Sequence, residues 1–200
     1  MVGEPKMRIH TFIKRILPLV ACLLIATGCD APFIGLQETK AQTSTSLIKA
    51  AELGDAVAQF RLGWMYANGK GVPQDDKEAV KWYQKSAEQG FSKAQYNLGL
   101  MYNKGKGVPR DYKEAVKWHR KAAEQGLVVA QFFLGLQYSL GHGVPEDMVS
   151  AYAWFNVASA NGNENASEQR DDHARVMTPE QIAEAQKLSK VWFEKYQPKD

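Results

Sequence analysis

The sequence predicts an all-α solenoid, in which helix-turn-helix units stack along one axis. The first observation is a period of 36 residues, marked by Gly54, Gly90, Gly126 and Gly162. The second is that each period contains two stretches of helical spacing separated by a Gly- and Pro-containing turn. Units of this length cannot bury an apolar face alone, so they must stack on their neighbours.

The first helix of each unit, helix A, is predicted from an apolar stripe. In the first unit Ala58, Leu62 and Tyr66 lie at i, i+4 and i+8, which places them on one face of a helix. Gly63 beside Leu62 leaves room for a facing helix to approach. We expect this helix over about Asp55 to Asn68.

The turn and the second helix, helix B, follow from capping signals. Gly69 suits a left-handed helix end, and Pro73 bars simple continuation of the helix. Asp75 and Glu78 form a capping-box-like pair that opens helix B, and Gly90 ends it. The inward positions of helix B are predicted to be Ala79, Trp82/Tyr83 and Ser86/Ala87.

The predicted solenoid covers residues 47–196, with three full repeats at 54–89, 90–125 and 126–161. Residues 47–53 read as a truncated helix B, and 162–196 as a degenerate capping repeat. Its last helix opens with a capping box between Thr178 and Gln181, with Pro179 at the first helical position. Residues 197–200 are a tail.

The N-terminus predicts export and lipid attachment. Basic residues precede an uncharged run over Ile16 to Gly28, which is shorter than the roughly 17 to 25 residues that span a bilayer. Residues 1–28 are therefore predicted to be a signal peptide. The segment before Cys29 resembles a bacterial lipobox, so Cys29 is the expected lipid attachment site, and an uncleaved signal anchor with a free thiol is the alternative. Asp30 is typical of inner-membrane retention, which places the protein facing the periplasm.

Residues 29–46 are mostly polar or small, lack a helical period and are predicted to be a flexible tether. Cys22 lies in the leader, so the mature chain would hold only Cys29 and no intramolecular disulfide. Residues 1–28 also hold four of the 25 basic residues and one of the 22 acidic ones. Without them the chain has no net charge, which argues against a nucleic-acid partner.

Candidate chemistry is sparse. The stretch from Ser46 to Lys49 matches S-x-x-K, but the partner motifs S-D-N and K-T-G are missing from the sequence. We expect His119 to be a packing residue and His173 to lie in the polar cap, beside the solvated residues Asp171 and Asp172. No two histidines are spaced as a helical zinc site requires. We therefore expect no catalytic activity, no metal and no cofactor.

The recurring pattern A-x-x-x-L-G-x-x-Y, then G-x-G-V-P, then A-x-x-W resembles the Sel-one-like repeat, a relative of the tetratricopeptide repeat. Gln59, Gln95 and Gln131 replace the tetratricopeptide Trp, and the period is two residues longer than 34. The resemblance implies a right-handed α/α superhelix that assembles other proteins, often in the cell envelope, without a cofactor. Enzymes or assemblies that handle peptidoglycan or secreted polymers are the implied clients.

The resemblance also implies that helix A lines a concave groove for a peptide segment. Nine residues at three recurring positions form this predicted surface, which we call the helix A face. They are Phe60, Trp64, Asn68, Tyr96, Leu100, Lys104, Phe132, Leu136 and Leu140. Two interpretations of the aromatic row remain open: it binds a partner, or it packs helix A against the next repeat.

These observations favour a membrane-tethered protein-protein interaction scaffold or adaptor that binds other envelope proteins or peptide segments. One alternative is an envelope hydrolase acting on β-lactams or peptidoglycan through Ser46. A structural spacer is the other.

Overall fold

The computed structural model describes residues 45–198, and every helix or strand in that range is an α-helix. The predicted all-α solenoid is confirmed. The signal peptide, Cys29 and all but the last two residues of the predicted tether lie outside the described residues, as do residues 199–200. The helices are α1 (45–52), α2 (Ala56–Asn68), α3 (Asp76–Glu88), α4 (Ser92–Lys104), α5 (Tyr112–Glu124), α6 (Val128–Leu140), α7 (Met148–Ala160), α8 (Glu164–Ala174) and α9 (Pro179–Lys195).

The A helices are α2, α4 and α6, and each ends where the sequence predicts. Gly69, Gly105 and Gly141 adopt left-handed conformations with φ of 63 to 66°. In each case the glycine N–H donates to a carbonyl of the last turn, which satisfies a group that the helix end would leave unpaired. Helix α1 begins by residue 45, within the predicted tether.

The B helices α3, α5 and α7 begin at aspartate caps. The Asp75 carboxylate accepts hydrogen bonds from the backbone N–H groups of Lys77 and Glu78, and Asp111 and Asp147 repeat the arrangement. The pair is not a reciprocal capping box, because the Asp75 N–H donates to the Tyr66 carbonyl. At α9 the reciprocal capping box of Thr178 and Gln181 is formed as predicted.

Within each repeat, a glycine of helix A lets a ring of helix B approach. A Cβ at Gly63 would lie 2.8 Å from the Tyr83 ring, and one at Gly99 would lie 2.4 Å from the His119 ring. Gly135 stands in the same relation to Phe155, at 2.7 Å. The L-G pair therefore sets the distance between helices A and B, as expected.

Buried glutamines join successive repeats. The Gln59 Nε2 donates to the Ala51 carbonyl at 3.1 Å, and its Oε1 accepts from Gln89 Nε2 at 2.7 Å. One side chain thus links three helices and satisfies its own buried amide. The same set recurs at Gln95 with Ala87 and Gln125, and at Gln131 with Ala123 and Asn161.

The C-terminal helix α9 closes the stack against α7. The Trp154 ring stacks on Trp192 at 4.5 Å and on Tyr196 at 5.7 Å. The Tyr196 carbonyl accepts from Gln131 Nε2 at 3.0 Å, and the backbone of Gln197 lies against Gly126. As a result Trp154 is only 2% exposed.

His173 lies in the capping repeat, as expected, but it is buried and not part of the polar surface of α8. Its Nε2 lies 2.8 Å from the Ser139 hydroxyl, its Nδ1 lies 2.7 Å from the Gln169 carbonyl, and its ring contacts Phe155. The period explains this position, since His173 follows Gln137 by 36 residues and both face inward. Its neighbours Asp171 and Asp172 are exposed, as expected.

Candidate functional site

The aromatic row of the helix A face is partly buried against helix B. The Phe60, Tyr96 and Phe132 rings lie 5.9, 5.6 and 5.8 Å from the rings of Tyr83, His119 and Phe155, which form a second row below them. Phe60 also meets Phe91 of the next repeat at 5.2 Å. The structure thus gives this row a packing role, with one edge left accessible.

The remaining residues of the helix A face form its outer part. Trp64 is 46% exposed and Leu140 is 59% exposed. Asn68 and Lys104 are also exposed, and Leu100 and Leu136 are partly buried. An accessible Trp beside branched apolar residues is typical of binding surfaces, where aromatic side chains contribute most of the affinity.

A cavity of about 260 Å³ opens between the first and second repeats, and we call it the first-junction cavity. Four of the nine predicted residues line it, which places both A helices α2 and α4 at one site. The lining residues are Trp64, Ala67, Asn68, Asp76, Tyr83, Asn97, Leu100, Met101, Lys104 and Lys106. Asp76, Asn97 and Lys106 were not predicted from the sequence as site residues.

Asn97 and Tyr83 meet in the wall of this cavity. Burial raises the pKa of Tyr83 to about 12, and a hydrogen bond from Asn97 partly offsets that rise. The phenol therefore stays protonated at physiological pH, and the cavity wall carries neutral polar groups at this point. One sequence signal could have pointed to Asn97, because the same position in the next repeat is Phe133.

The corresponding space between the second and third repeats is filled by rings. Phe133 packs on Tyr96 at 5.5 Å and on His119 at 5.6 Å. At the turn, Tyr112 stacks on His142 at 4.5 Å, where the first junction carries Asp76 and Lys106. The two junctions share a backbone arrangement but differ in the side chains that line them.

The helix A face is also distinct in charge. Helices α2, α4 and α6 contain three basic residues, Arg61, Lys93 and Lys104, and no acidic residue. Helices α3 and α5 mix both signs. The accessible surface of the A helices is therefore apolar and positive.

The described residues hold little else that suggests chemistry. Within 45–198, no group of His, Cys, Asp and Glu residues is arranged to hold a metal ion. Ser46 and Lys49 of the S-x-x-K match are exposed on the short helix α1. No helix in this part of the chain is long and apolar enough to cross a bilayer.

Stacked helix pairs with a cavity between adjacent A helices define an α/α repeat protein that presents a grooved surface. Sequence comparison agrees, since the Sel1 repeat matches residues 56–91, 92–127 and 128–163. These segments make up more than half of the chain, which belongs to the Sel1 repeat family. Its members are generally protein-protein interaction scaffolds, and the fold is typically non-catalytic. Among curated proteins the chain has no significant match.

Solved structures show the same architecture. A protective antigen of uropathogenic Escherichia coli with an SLR fold is 43% identical, with a TM-score of 0.73. The match covers 78% of this chain but 33% of the antigen, so the chain spans about a third of that protein. A Sel1 repeat protein from Oxalobacter formigenes is 42% identical over 64% of this chain and 96% of its own, with a TM-score of 0.60.

A third relative shows the fold alone. Cysteine-rich protein B of Helicobacter pylori is 23% identical over 62% of this chain and 95% of its own, with a TM-score of 0.50.

Proposed function

We propose that this protein is a membrane-tethered scaffold of the bacterial cell envelope that docks another protein on its helix A face. The observation that carries the proposal is the first-junction cavity, where exposed Trp64 and the apolar side chain of Leu100 meet between two A helices. Apolar clefts between helices are common places for a peptide side chain to anchor.

The contrast with the opposite side of the repeats supports this choice. Exposed positions of α3 and α5 are mostly charged, and Lys81 and Lys117 pair with glutamates of their own helices. Such surface pairs contribute little free energy. The aromatic group beside the first pair, Trp82, is partly buried and has the Lys85 ammonium 4.2 Å from its ring centre, whereas Trp64 is 46% exposed. The helix A face is therefore the better docking surface.

The tether rests on the sequence before residue 45. A lipidated Cys29 followed by a polar segment of this length would hold the repeats on the order of 20 to 25 Å from the membrane. Several acyl chains would make the anchor lasting, whereas one binds only marginally. The partner would then be a protein at or near the periplasmic side of the inner membrane.

Partner capture tests the docking surface. The chain, expressed with its own N-terminus and crosslinked in cells, is compared with a Trp64→Ala/Leu100→Ala/Leu136→Ala variant. These outer residues are preferable to Phe60, Tyr96 and Phe132, since truncating a packed ring also costs stability. We expect the partner to be lost in the variant.

The matched control is Lys77→Ala/Lys113→Ala, which alters exposed positions of α3 and α5. It should keep the partner, and circular dichroism melts should show that both variants are folded. A partner retained by the helix A variant would move the site elsewhere. No partner in any sample would favour the structural spacer, and turnover of a β-lactam or a muropeptide that is lost in Ser46→Ala would favour the hydrolase.

The anchor is tested by Cys29→Ser. We expect the wild-type chain in the membrane fraction with labelled fatty acid attached, and the variant unlabelled and released from the membrane. Labelled variant, or wild-type chain found only in the soluble fraction, would contradict lipid attachment at Cys29.

A further inference from the structure

We infer that the first-junction cavity binds an acidic peptide segment that inserts one apolar side chain, an inference that rests on the proposed scaffold function. The apolar anchor would lie against Trp64 and Leu100, and carboxylates beside it would meet Lys104 and Lys106. The occupant is thus a short stretch of another protein rich in Asp and Glu around a single large apolar residue.

The size of the cavity indicates a side chain as the occupant. Its volume of about 260 Å³ lies just below the roughly 300 to 1,000 Å³ of pockets that enclose a small-molecule ligand. The cavity is open to solvent on the helix A side, where Trp64 is 46% exposed, so a chain can run across its mouth. Met101, 7% exposed, contributes to its apolar wall.

Charge complementarity indicates an acidic segment. Lys104 and Lys106 line the cavity with one carboxylate, that of Asp76. Within residues 45–198 neither lysine takes part in an ion pair. The A helices α2 and α4 that border the cavity contain no acidic residue, so the two lysines favour a negative chain over a positive one.

The difference between the two junctions explains why the site is at the first. Asn97 is too short to fill the space and leaves it open, whereas Phe133 at the same position of the next repeat packs on Tyr96 and His119. At the outer rim, Lys104 is replaced after 36 residues by Leu140. Lys106 is likewise replaced by His142, so the second junction lacks both lysines and has a ring where the first has Asn97.

This comparison supplies a variant that should close the site without unfolding the chain. Asn97→Phe places in the first junction the ring that the second already accommodates. A companion variant, Asn97→Phe/Tyr83→Phe, removes the phenol that would lose its Asn97 partner and copies the Phe155 ring of the third repeat. Thermal melts of both should stay close to wild type.

The probe is a short fluorescein-labelled peptide with Phe flanked on both sides by Asp and Glu. Two controls replace Phe by Ser, or every Asp and Glu by Lys. Fluorescence anisotropy on the full chain should show binding of the acidic Phe peptide, weaker by at least about tenfold for each control peptide and for either Asn97 variant. Lys104→Glu/Lys106→Glu should weaken binding similarly, and added salt should weaken it further.

Lys77→Glu/Lys113→Glu is the charge control, since it makes the same net change on the B helices. It should leave the affinity within about twofold of wild type. Equal binding by wild type and the folded Asn97→Phe chain, equal binding of the Lys peptide, or no binding of the acidic peptide would overturn the inference. If a cellular partner is still captured through Trp64 and Leu100 in any of those cases, the scaffold function stands and only the acidic-segment assignment falls.

Discussion

His119 lies in the second of the three repeats, at the position that Tyr83 occupies in the first and Phe155 in the third. It is fully buried, and its Nδ1 lies 3.1 Å from Gln137 Oε1. Within residues 45–198 the Gln137 Nε2 has no hydrogen-bond partner, and the His119 Nε2 has none of normal geometry. Burial lowers the pKa of His119 to about 4, and the contacts with Gln137 and the Tyr96 backbone offset part of that shift. The neutral imidazole is therefore the form that the fold accepts.

This histidine predicts an acid-sensitive fold. Its pKa falls from an ordinary 6.5 to about 4 on folding, so the unfolded chain binds the proton first. Stability is then full above about pH 6.5 and is lost as the pH falls toward 4, by about 3 kcal/mol in all. Urea unfolding at neutral and mildly acidic pH measures the loss.

The control replaces the pair with residues from matching positions of other repeats. His119→Phe/Gln137→Met copies Phe155 and Met101 and removes both unpaired nitrogens. Between about pH 6.5 and 4, its free energy of unfolding should therefore change little with pH. If the double variant loses as much stability in acid as wild type does, a group other than His119 causes the acid sensitivity.

At the scale of an element, the turn between helices A and B does more than reverse the chain. A Cβ at Gly107 would lie 2.2 Å from the Asp76 carbonyl oxygen of the preceding repeat. Gly143 meets the Tyr112 carbonyl in the same way. In the second and third G-x-G-V-P turns, the second glycine therefore sets how closely each repeat approaches the one before it.

Because of this close approach, the same Gly→Ala substitution is expected to cost different amounts of stability in two of the turns. Gly71 and Gly107 both have positive φ, 81 and 71°, but near Gly71 a Cβ meets only the flexible end of Met65. Gly107→Ala should thus cost about 1 to 3 kcal/mol more than Gly71→Ala, because backbone of the preceding repeat must shift. Denaturant melts of the two variants give the comparison, and equal losses would contradict the close approach.

The period made the helices, caps, turns and glycine contacts predictable, because each depends on residues that recur in every repeat. The buried links of Gln59, Gln95 and Gln131 were visible only as a departure from the tetratricopeptide pattern, since their partners lie on two other helices. The cavity depends instead on a position that differs between repeats, which is Asn97 in the second repeat and Phe133 in the third. Its effect emerges only when neighbouring A helices are stacked.

At the scale of the whole molecule, the last repeat is covered by α9, a helix that is not part of the repeating pattern. Trp154 would face solvent without α9, whose Trp192 and Tyr196 cover it. The earlier helix B residue Trp118 is 6% exposed and packs with Val80 and Tyr83 of the preceding repeat. Helix α9 thus covers Trp154 in the last repeat, and the cavity between the A helices α2 and α4 remains accessible.

The central claim is that a partner docks on the A helices, and site-specific photocrosslinking tests it most directly. A benzophenone amino acid is placed at Leu100 or Leu136, and in matched chains at Lys77 or Lys113, with each chain expressed from its own N-terminus. We predict light-dependent adducts to the same partner protein from Leu100 and Leu136 and none from Lys77 and Lys113. Adducts that form from the lysine positions and not from the leucine positions would contradict the account.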